Sequence, residues 1–122
     1  MCKIKRTALS KTRKGTHMAD IKVIKVDVAD VAKVITISDS LESLQHEVDG
    51  YIECIYPWED NATLICNEEG KINGMELNRP LYSEDGRIID IIAGPFLIVG
   101  FDDDGELLSL TDEQIATYLR KF

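Results

Sequence analysis

Histidine, cysteine and long apolar runs are all scarce in this chain of 122 residues, and each shortage excludes a class of protein. Only His17 and His46 could supply an imidazole, so a site built on histidine chemistry has little material. Three cysteines, an odd number without a secretory signal, argue against a secreted fold held by disulfides. The longest apolar stretch, residues 88–101, is interrupted by Asp90 and Pro95, so we predict no membrane span. These shortages favour a soluble protein of a reducing cytoplasm.

Motifs that bind phosphate or metal ions are also missing. Gly70-Lys71 lacks the earlier glycine and the following hydroxyl residue of a phosphate-binding loop. Cys54 and Cys66 do not have the spacing of a zinc site, although in a hairpin the two thiols would face one another as small core residues. Asp102–Gly105 resembles part of a calcium loop, but the outer ligand positions carry no carboxylate. We therefore predict no metal site and no cofactor.

Charge is distributed very unevenly along the chain. The whole sequence has 14 basic and 22 acidic residues, a net charge of −8. Residues 1–18 hold six of the basic residues and no acid, which leaves 8 basic and 22 acidic residues, a net charge of −14, in residues 19–122. Such a body repels nucleic acid and favours basic partner surfaces, although acidity can also serve solubility alone. We expect a single acidic domain over 19–122, preceded by a basic disordered tail or non-native extension over 1–18.

Hydrophobic periodicity predicts an α+β domain with a small, mostly antiparallel sheet of about six strands and two amphipathic helices. One helix begins near Asp39, with Glu42 completing a capping box, and the other begins at a capping box from Thr111 to Gln114. The expected strands cover residues 21–28, 34–37, 51–56, 63–66, 88–92, 96–101 and 107–110, with 88–92 and 96–101 as central strands. The segment bracketed by Asn67-Glu68-Glu69 and Asn78-Arg79-Pro80 is expected to be loop-rich.

The only tryptophan lies in an acidic loop and is the first candidate for a binding residue. Trp58 is followed by Glu59 and Asp60, so an exposed indole ringed by carboxylates would anchor a basic partner. In the alternative interpretation, Trp58 folds over the edge of the core. Both interpretations remain open at this point.

An ordered series of short motifs resembles a known family. In chain order the series comprises Gly50–Glu53, Pro57, Asp60, Leu64–Lys71, Gly74, Asn78-Arg79, Asp90–Phe96, Ile98–Gly100, Ser109–Thr111 and Glu113-Gln114. Over residues 20–122 the chain is similar to an uncharacterised family of small proteins, domain of unknown function three-eight-four-six, carried by bacteriophages and mobile elements of low-GC Gram-positive bacteria. The resemblance implies that the chain is encoded by a mobile element, and members of the family begin near the position of Met18. It supplies no catalytic residues that could be assigned to this chain.

Three functions are compatible with these observations. The first is a non-enzymatic phage or mobile-element accessory protein that uses its acidic surface to bind a basic host protein, in host interaction or counter-defence, in the bacterial cytoplasm. The second is a sponge for a small signalling nucleotide. Its pocket would be built from the polar residues and turns that match the family, namely Asn67, Glu68, Asn78, Arg79, Asp90 and Gly94. The third is an enzyme that uses a carboxylate pair such as Glu53 with Asp90.

Overall fold

The computed structural model describes residues 19–122, so the basic tail predicted for residues 1–18 lies outside the described residues. The described chain contains eight strands and two helices. In chain order they are β1 (Asp20–Val26), β2 (Lys33–Ser38), α1 (Leu41–Val48), β3 (Ile52–Ile55), β4 (Ala62–Asn67), β5 (Leu77–Tyr82), β6 (Ile88–Ala93), β7 (Phe96–Phe101), β8 (Leu107–Leu108) and α2 (Asp112–Lys121). No helix among these residues is long and apolar enough to span a bilayer.

The strands form two antiparallel sheets. The main sheet has six strands, in the order β2-β1-β7-β4-β3, with β8 added beside β7. Strands β5 and β6 pair only with each other among the described residues, and we call this two-stranded sheet the ribbon. The α+β class, the antiparallel sheet of six strands and the two helices are therefore confirmed.

The main sheet is covered on both faces because its central strands are apolar on both sides. Successive side chains of a strand point to opposite faces, so β7 sends Leu97 and Val99 one way and Phe96 and Ile98 the other. On the first face, α1 packs its buried leucine and valine, Leu44 and Val48. On the second face, α2 contributes Tyr118 and the ribbon contributes Leu81 and Ile92.

The ribbon corrects two of the strand predictions. Residues 88–92 do form a strand, β6, but not a central one, because Ile88 and Ile89 are 58% and 53% exposed. The sequence predicts no strand for its partner β5, which contains Asn78, Arg79 and Pro80 from the end of the expected loop-rich segment. A proline is tolerated in β5 because this strand has only one paired neighbour and needs no second set of backbone hydrogen bonds.

Two local predictions near the first helix and the cysteines are wrong. Helix α1 is capped by Ser40, whose Oγ accepts a hydrogen bond from the backbone N–H of Ser43 at 3.2 Å, and not by Asp39. The β3–β4 register places Glu53, rather than Cys54, opposite Cys66. The two thiols therefore lie on opposite faces of the sheet. By contrast, the capping box predicted from Thr111 to Gln114 is confirmed.

Helix α1 is tied to the end of β4 by one buried side chain. Asn67 donates from Nδ2 to the carbonyl oxygens of Val48 and Asp49, both at 3.1 Å. Its Oδ1 accepts the backbone N–H of Glu69 at 2.8 Å. Since the last carbonyls of a helix have no partner within the helix, Asn67 satisfies groups that would otherwise be buried without a hydrogen bond.

Replacing Asn67 by alanine is expected to lower the free energy of unfolding by about 2–3 kcal/mol, because it leaves two carbonyls and one N–H unsatisfied. Urea unfolding followed by circular dichroism measures the change. Asn73→Ala, at an exposed position in the next turn, is the matched control and should change the same quantity by less than about 0.5 kcal/mol. Equal stability of the two variants would contradict the capping role of Asn67.

Candidate functional site

The ribbon lies on the main sheet with a hollow at each side. The hollow beside β6, which we call the cleft, has a volume of about 270 Å³ and reaches from Glu53 and Cys66 on the main sheet to Lys71 and Asp90. A wider hollow of about 450 Å³, which we call the groove, separates loop 57–60 from Tyr82 to Glu84 and from α2. Together they contain most of the residues that the sequence singled out.

The cleft brings together the carboxylate pair proposed from the sequence, Glu53 and Asp90. The Oε1 atom of Glu53 lies 3.9 Å from the Cys66 Sγ. Asp90 accepts a hydrogen bond from the Lys71 Nζ at 2.7 Å, an ion pair that stands partly in solvent. Among the charged side chains of the lining, Glu53, Glu68 and Asp90 oppose the single Lys71, so the cleft is net negative.

The thiol of Cys66 forms part of the cleft floor and is not poised as a nucleophile. Burial, and then the nearby negative charges of Glu53 and Asp90, raise its pKa from 9.0 to about 12. A thiol attacks as its thiolate, so at neutral pH Cys66 is a neutral, unreactive group. The ion pair with Asp90 in turn raises the pKa of Lys71 and keeps its ammonium charged. This arrangement is suited to holding a positive group rather than to covalent catalysis.

Trp58 lies at the inner wall of the groove and packs against α2. Its ring centroid is 4.5 Å from that of Tyr118 and 6.1 Å from that of Phe122, and the indole is half-buried. The structure thus places Trp58 over the edge of the core, as in the alternative interpretation, while one side still borders the groove. Tyr82, which is 55% exposed, faces the same hollow from the ribbon.

Acidic side chains outnumber basic ones in the groove. Glu59, Asp60 and Glu84 oppose the single Lys121. Asp60 is held in place because its Oδ2 accepts the hydroxyl of Tyr118 and its backbone carbonyl accepts the Gln114 Nε2 at 2.6 Å. Burial and the Asp60 carboxylate raise the pKa of Tyr118, so its hydroxyl stays protonated and remains a donor to Asp60.

The six residues of the pocket expected from the sequence do not surround one hollow. Asn67, Glu68 and Asp90 line the cleft, with the side chain of Asn67 already committed to capping α1. Asn78 donates from Nδ2 to the carbonyls of Val26 and Gly94, at 2.8 and 3.0 Å, and so fastens the ribbon to β1.

Arg79 and Gly94 have structural surroundings of their own. Arg79 donates from Nη1 to the Asn78 Oδ1 at 2.8 Å and from Nη2 to the carbonyl of Asp30. Gly94 has a φ of +79°, which L side chains rarely adopt, so a larger residue would be strained in this turn between β6 and β7 and its Cβ, 2.6 Å from the Met75 Sδ, would displace that side chain. Both residues therefore hold the ribbon in place.

Several residues of the hollows were not identified from the sequence. Lys71, Ile72 and Ile91 border the cleft, and Tyr82 and Glu84 border the groove. The Asp85-Gly86 turn could have revealed Tyr82, because it predicts a hairpin and hence a strand before residue 83. Within residues 19–122, no group of three or more His, Cys, Asp or Glu side chains is arranged to hold a metal ion.

Comparison with known proteins gives a family without an assigned activity. Residues 21–122 match the family model described as "Domain of unknown function (DUF3846)". The matched range includes both helices, both hollows and all eight strands except for Asp20, the first residue of β1. Neither a curated protein nor a solved structure shows a significant match.

The raised pKa of Cys66 predicts slow alkylation of the folded protein. With Cys2 and Cys54 replaced by serine, iodoacetamide near pH 8 is expected to modify Cys66 at least about a hundredfold more slowly in the folded than in the urea-unfolded chain, since the folded chain has far less thiolate. Glu53→Gln should speed the reaction of the folded protein, because it removes a charge that raises this pKa.

Glu68→Gln is the matched control for Glu53→Gln, since Glu68 lines the cleft but is not among the groups that raise the pKa of Cys66. Its alkylation rate should equal that of the parent. Equal rates for the folded and unfolded chains, or no response to Glu53→Gln, would contradict the account of the cleft floor.

Proposed function

The chain belongs to the DUF3846 family, a domain of unknown function, and from that premise we propose that it is a non-enzymatic binding protein for a basic segment of a partner protein. The binding site is the groove. In keeping with the family resemblance, the proposal places the protein among phage or mobile-element accessory proteins that act on a host protein in the bacterial cytoplasm, in host interaction or counter-defence.

The observation that carries the proposal is the composition of the groove. Trp58 and Tyr82 offer aromatic surface from its two sides, and Glu59, Asp60 and Glu84 surround that surface with negative charge. Aromatic side chains give large contact area for little lost freedom, and the carboxylates choose partners of the opposite sign. A basic segment with apolar side chains fits both features.

The charge of the domain supports the same partner. Residues 19–122 carry a net charge of −14, so a basic segment is attracted from a distance and an acidic one is repelled. A single exposed ion pair contributes only about 0.2–1 kcal/mol, so selectivity must come from several carboxylates acting on one partner. The three acids that border the groove meet that need.

The two alternative functions have weaker support. A signalling nucleotide is anionic, whereas the cleft and the groove have more acidic than basic side chains. Arg79 lines a smaller hollow of about 120 Å³ together with Lys121, but its guanidinium already donates to the backbone carbonyls of Asp30 and Phe122. A carboxylate enzyme is supported only by the shared cleft of Glu53 and Asp90, and Asp90 is already neutralised by Lys71. We therefore prefer binding over both alternatives.

Trp58 gives a direct test, because it is the only tryptophan of the chain and borders the groove. The probe is a tryptophan-free peptide with three Arg-Gly-Leu repeats, and the readout is Trp58 fluorescence. We expect saturable quenching or a spectral shift whose affinity falls as salt rises, because the attraction is screened. The double variant Glu59→Gln/Glu84→Gln should bind about tenfold more weakly, at about 0.7 kcal/mol for each carboxylate.

The matched control is Glu42→Gln/Glu69→Gln, which removes the same charge from exposed positions outside the groove. Its affinity should stay within about twofold of the parent. A peptide with three Glu-Gly-Leu repeats should give no response. The proposal fails if binding is insensitive to salt, or if both double variants weaken it equally, since the second result would indicate net charge rather than the groove.

A further inference from the structure

The geometry points to the cleft as a receptor for one arginine side chain of the partner, so that the protein holds the partner at both sides of the ribbon. This inference rests on the proposed function and names a second contact within it. It concerns residues outside the groove, namely Glu53 and Cys66 on the main sheet and Lys71, Ile72, Asp90 and Ile91 around them.

The apolar walls of the cleft suit the stem of a long side chain. Ile55 and Ile92 line it from the main sheet and the ribbon, and Ile72 and Ile91 stand at its border. Ile72 is 83% exposed and Ile91 is 38% exposed, so apolar surface is left in water that a methylene chain would cover. An arginine buries its three methylene groups against such surface while its charged head reaches polar groups.

The charges of the cleft suit a cationic head. Lys71 forms its ion pair with Asp90 at 2.7 Å and also interacts with the charge of Glu53. The three carboxylates of the lining, Glu53, Glu68 and Asp90, therefore share one ammonium group, which leaves an excess of negative charge in the cleft. The Cys66 Sγ lies 3.9 Å from the Glu53 Oε1, a long and weak contact that leaves most of the hydrogen-bonding capacity of that carboxylate available.

A guanidinium fits this cleft better than other charged groups do. It is planar, keeps its charge at any pH the protein meets, and gives up its hydration more readily than an ammonium. It also forms two parallel hydrogen bonds with a carboxylate such as Glu53. Phosphate and carboxylate groups would be repelled by the excess of acidic side chains in the lining.

A partner segment that fills both hollows would run along the ribbon. The cleft meets β6 at Asp90 to Ala93, and the groove meets the ribbon at Tyr82 to Glu84. Exposed apolar side chains cover the ribbon between these positions, among them Ile88 and Ile89. An apolar segment that carries basic residues would lie across this surface.

N-Butylguanidinium is the probe, because it copies the arginine side chain, and N-butylurea is its neutral counterpart of the same shape. Titrated into the ¹⁵N-labelled full chain, the guanidinium should shift the amide resonances of Glu53, Cys66, Lys71 and Ile91, with millimolar affinity. Glu53→Gln should weaken binding about fivefold, and Lys71→Gln should strengthen it about threefold, because it frees Asp90 to accept the cation.

Glu42→Gln, at an exposed position of α1 outside both hollows, is the matched control and should bind N-butylguanidinium as the parent does. The inference is overturned if the urea binds as well as the guanidinium, if the shifts map elsewhere, or if Lys71→Gln weakens binding. Failure of the guanidinium with the Trp58 response to the basic peptide intact overturns this inference alone. If the guanidinium binds in the cleft but the basic peptide gives no Trp58 response, the proposed function is overturned. The assignment of the bound cation to an arginine of a partner protein is then overturned as well.

Discussion

The packing of the ribbon on the main sheet is the contact on which both hollows depend. It is made by two side chains that lie almost entirely out of solvent, Leu81 and Ile92, together with the hydrogen bonds from Asn78 to Val26 and Gly94. Burying two such apolar side chains contributes about 3–6 kcal/mol, far more than any surface ion pair of the molecule. Asp90 and Glu84, the acids that the ribbon brings to the hollows, therefore owe their positions to apolar packing rather than to one another.

Negative charge gives these hollows a preference for cations, but it gives little energy at any one position. Exposed carboxylates such as Glu59 and Glu84 gain little from a single partner charge, and salt weakens that gain. Affinity must then come from apolar contact, which Trp58 and Tyr82 offer in the groove and Ile72 and Ile91 at the cleft. This division, in which charge selects and apolar surface binds, is typical of protein recognition.

The main sheet could be predicted from the sequence because its strands are rich in β-branched and aliphatic residues and are bounded by clear turns. β1, β4 and β7 need only local patterns to be recognised. The ribbon could not, because β5 carries Asn78, Arg79 and Pro80, and each of these residues has a partner that only the tertiary structure supplies, such as the carbonyl of Asp30 for Arg79.

The difference between local and tertiary signals also explains which site residues could be predicted from the sequence. Trp58 and its acidic neighbours stand together in the sequence, so the loop they form was visible without the fold. The cleft combines residues from β3, β4, the following turn and β6, and its composition depends on how the ribbon lies on the sheet. Asn67 and Gly94 match the family motifs equally well, yet their roles are a helix cap and a tight turn.

Native-state hydrogen exchange of the ribbon tests the central claim most directly, namely that β5 and β6 are fixed on the main sheet and thereby shape both hollows. The account predicts that the slowest amides of the ribbon exchange by the same global unfolding as those of β7, with the same dependence on denaturant. Fast exchange of the ribbon by a local opening that is insensitive to denaturant, while β7 stays protected, would contradict it.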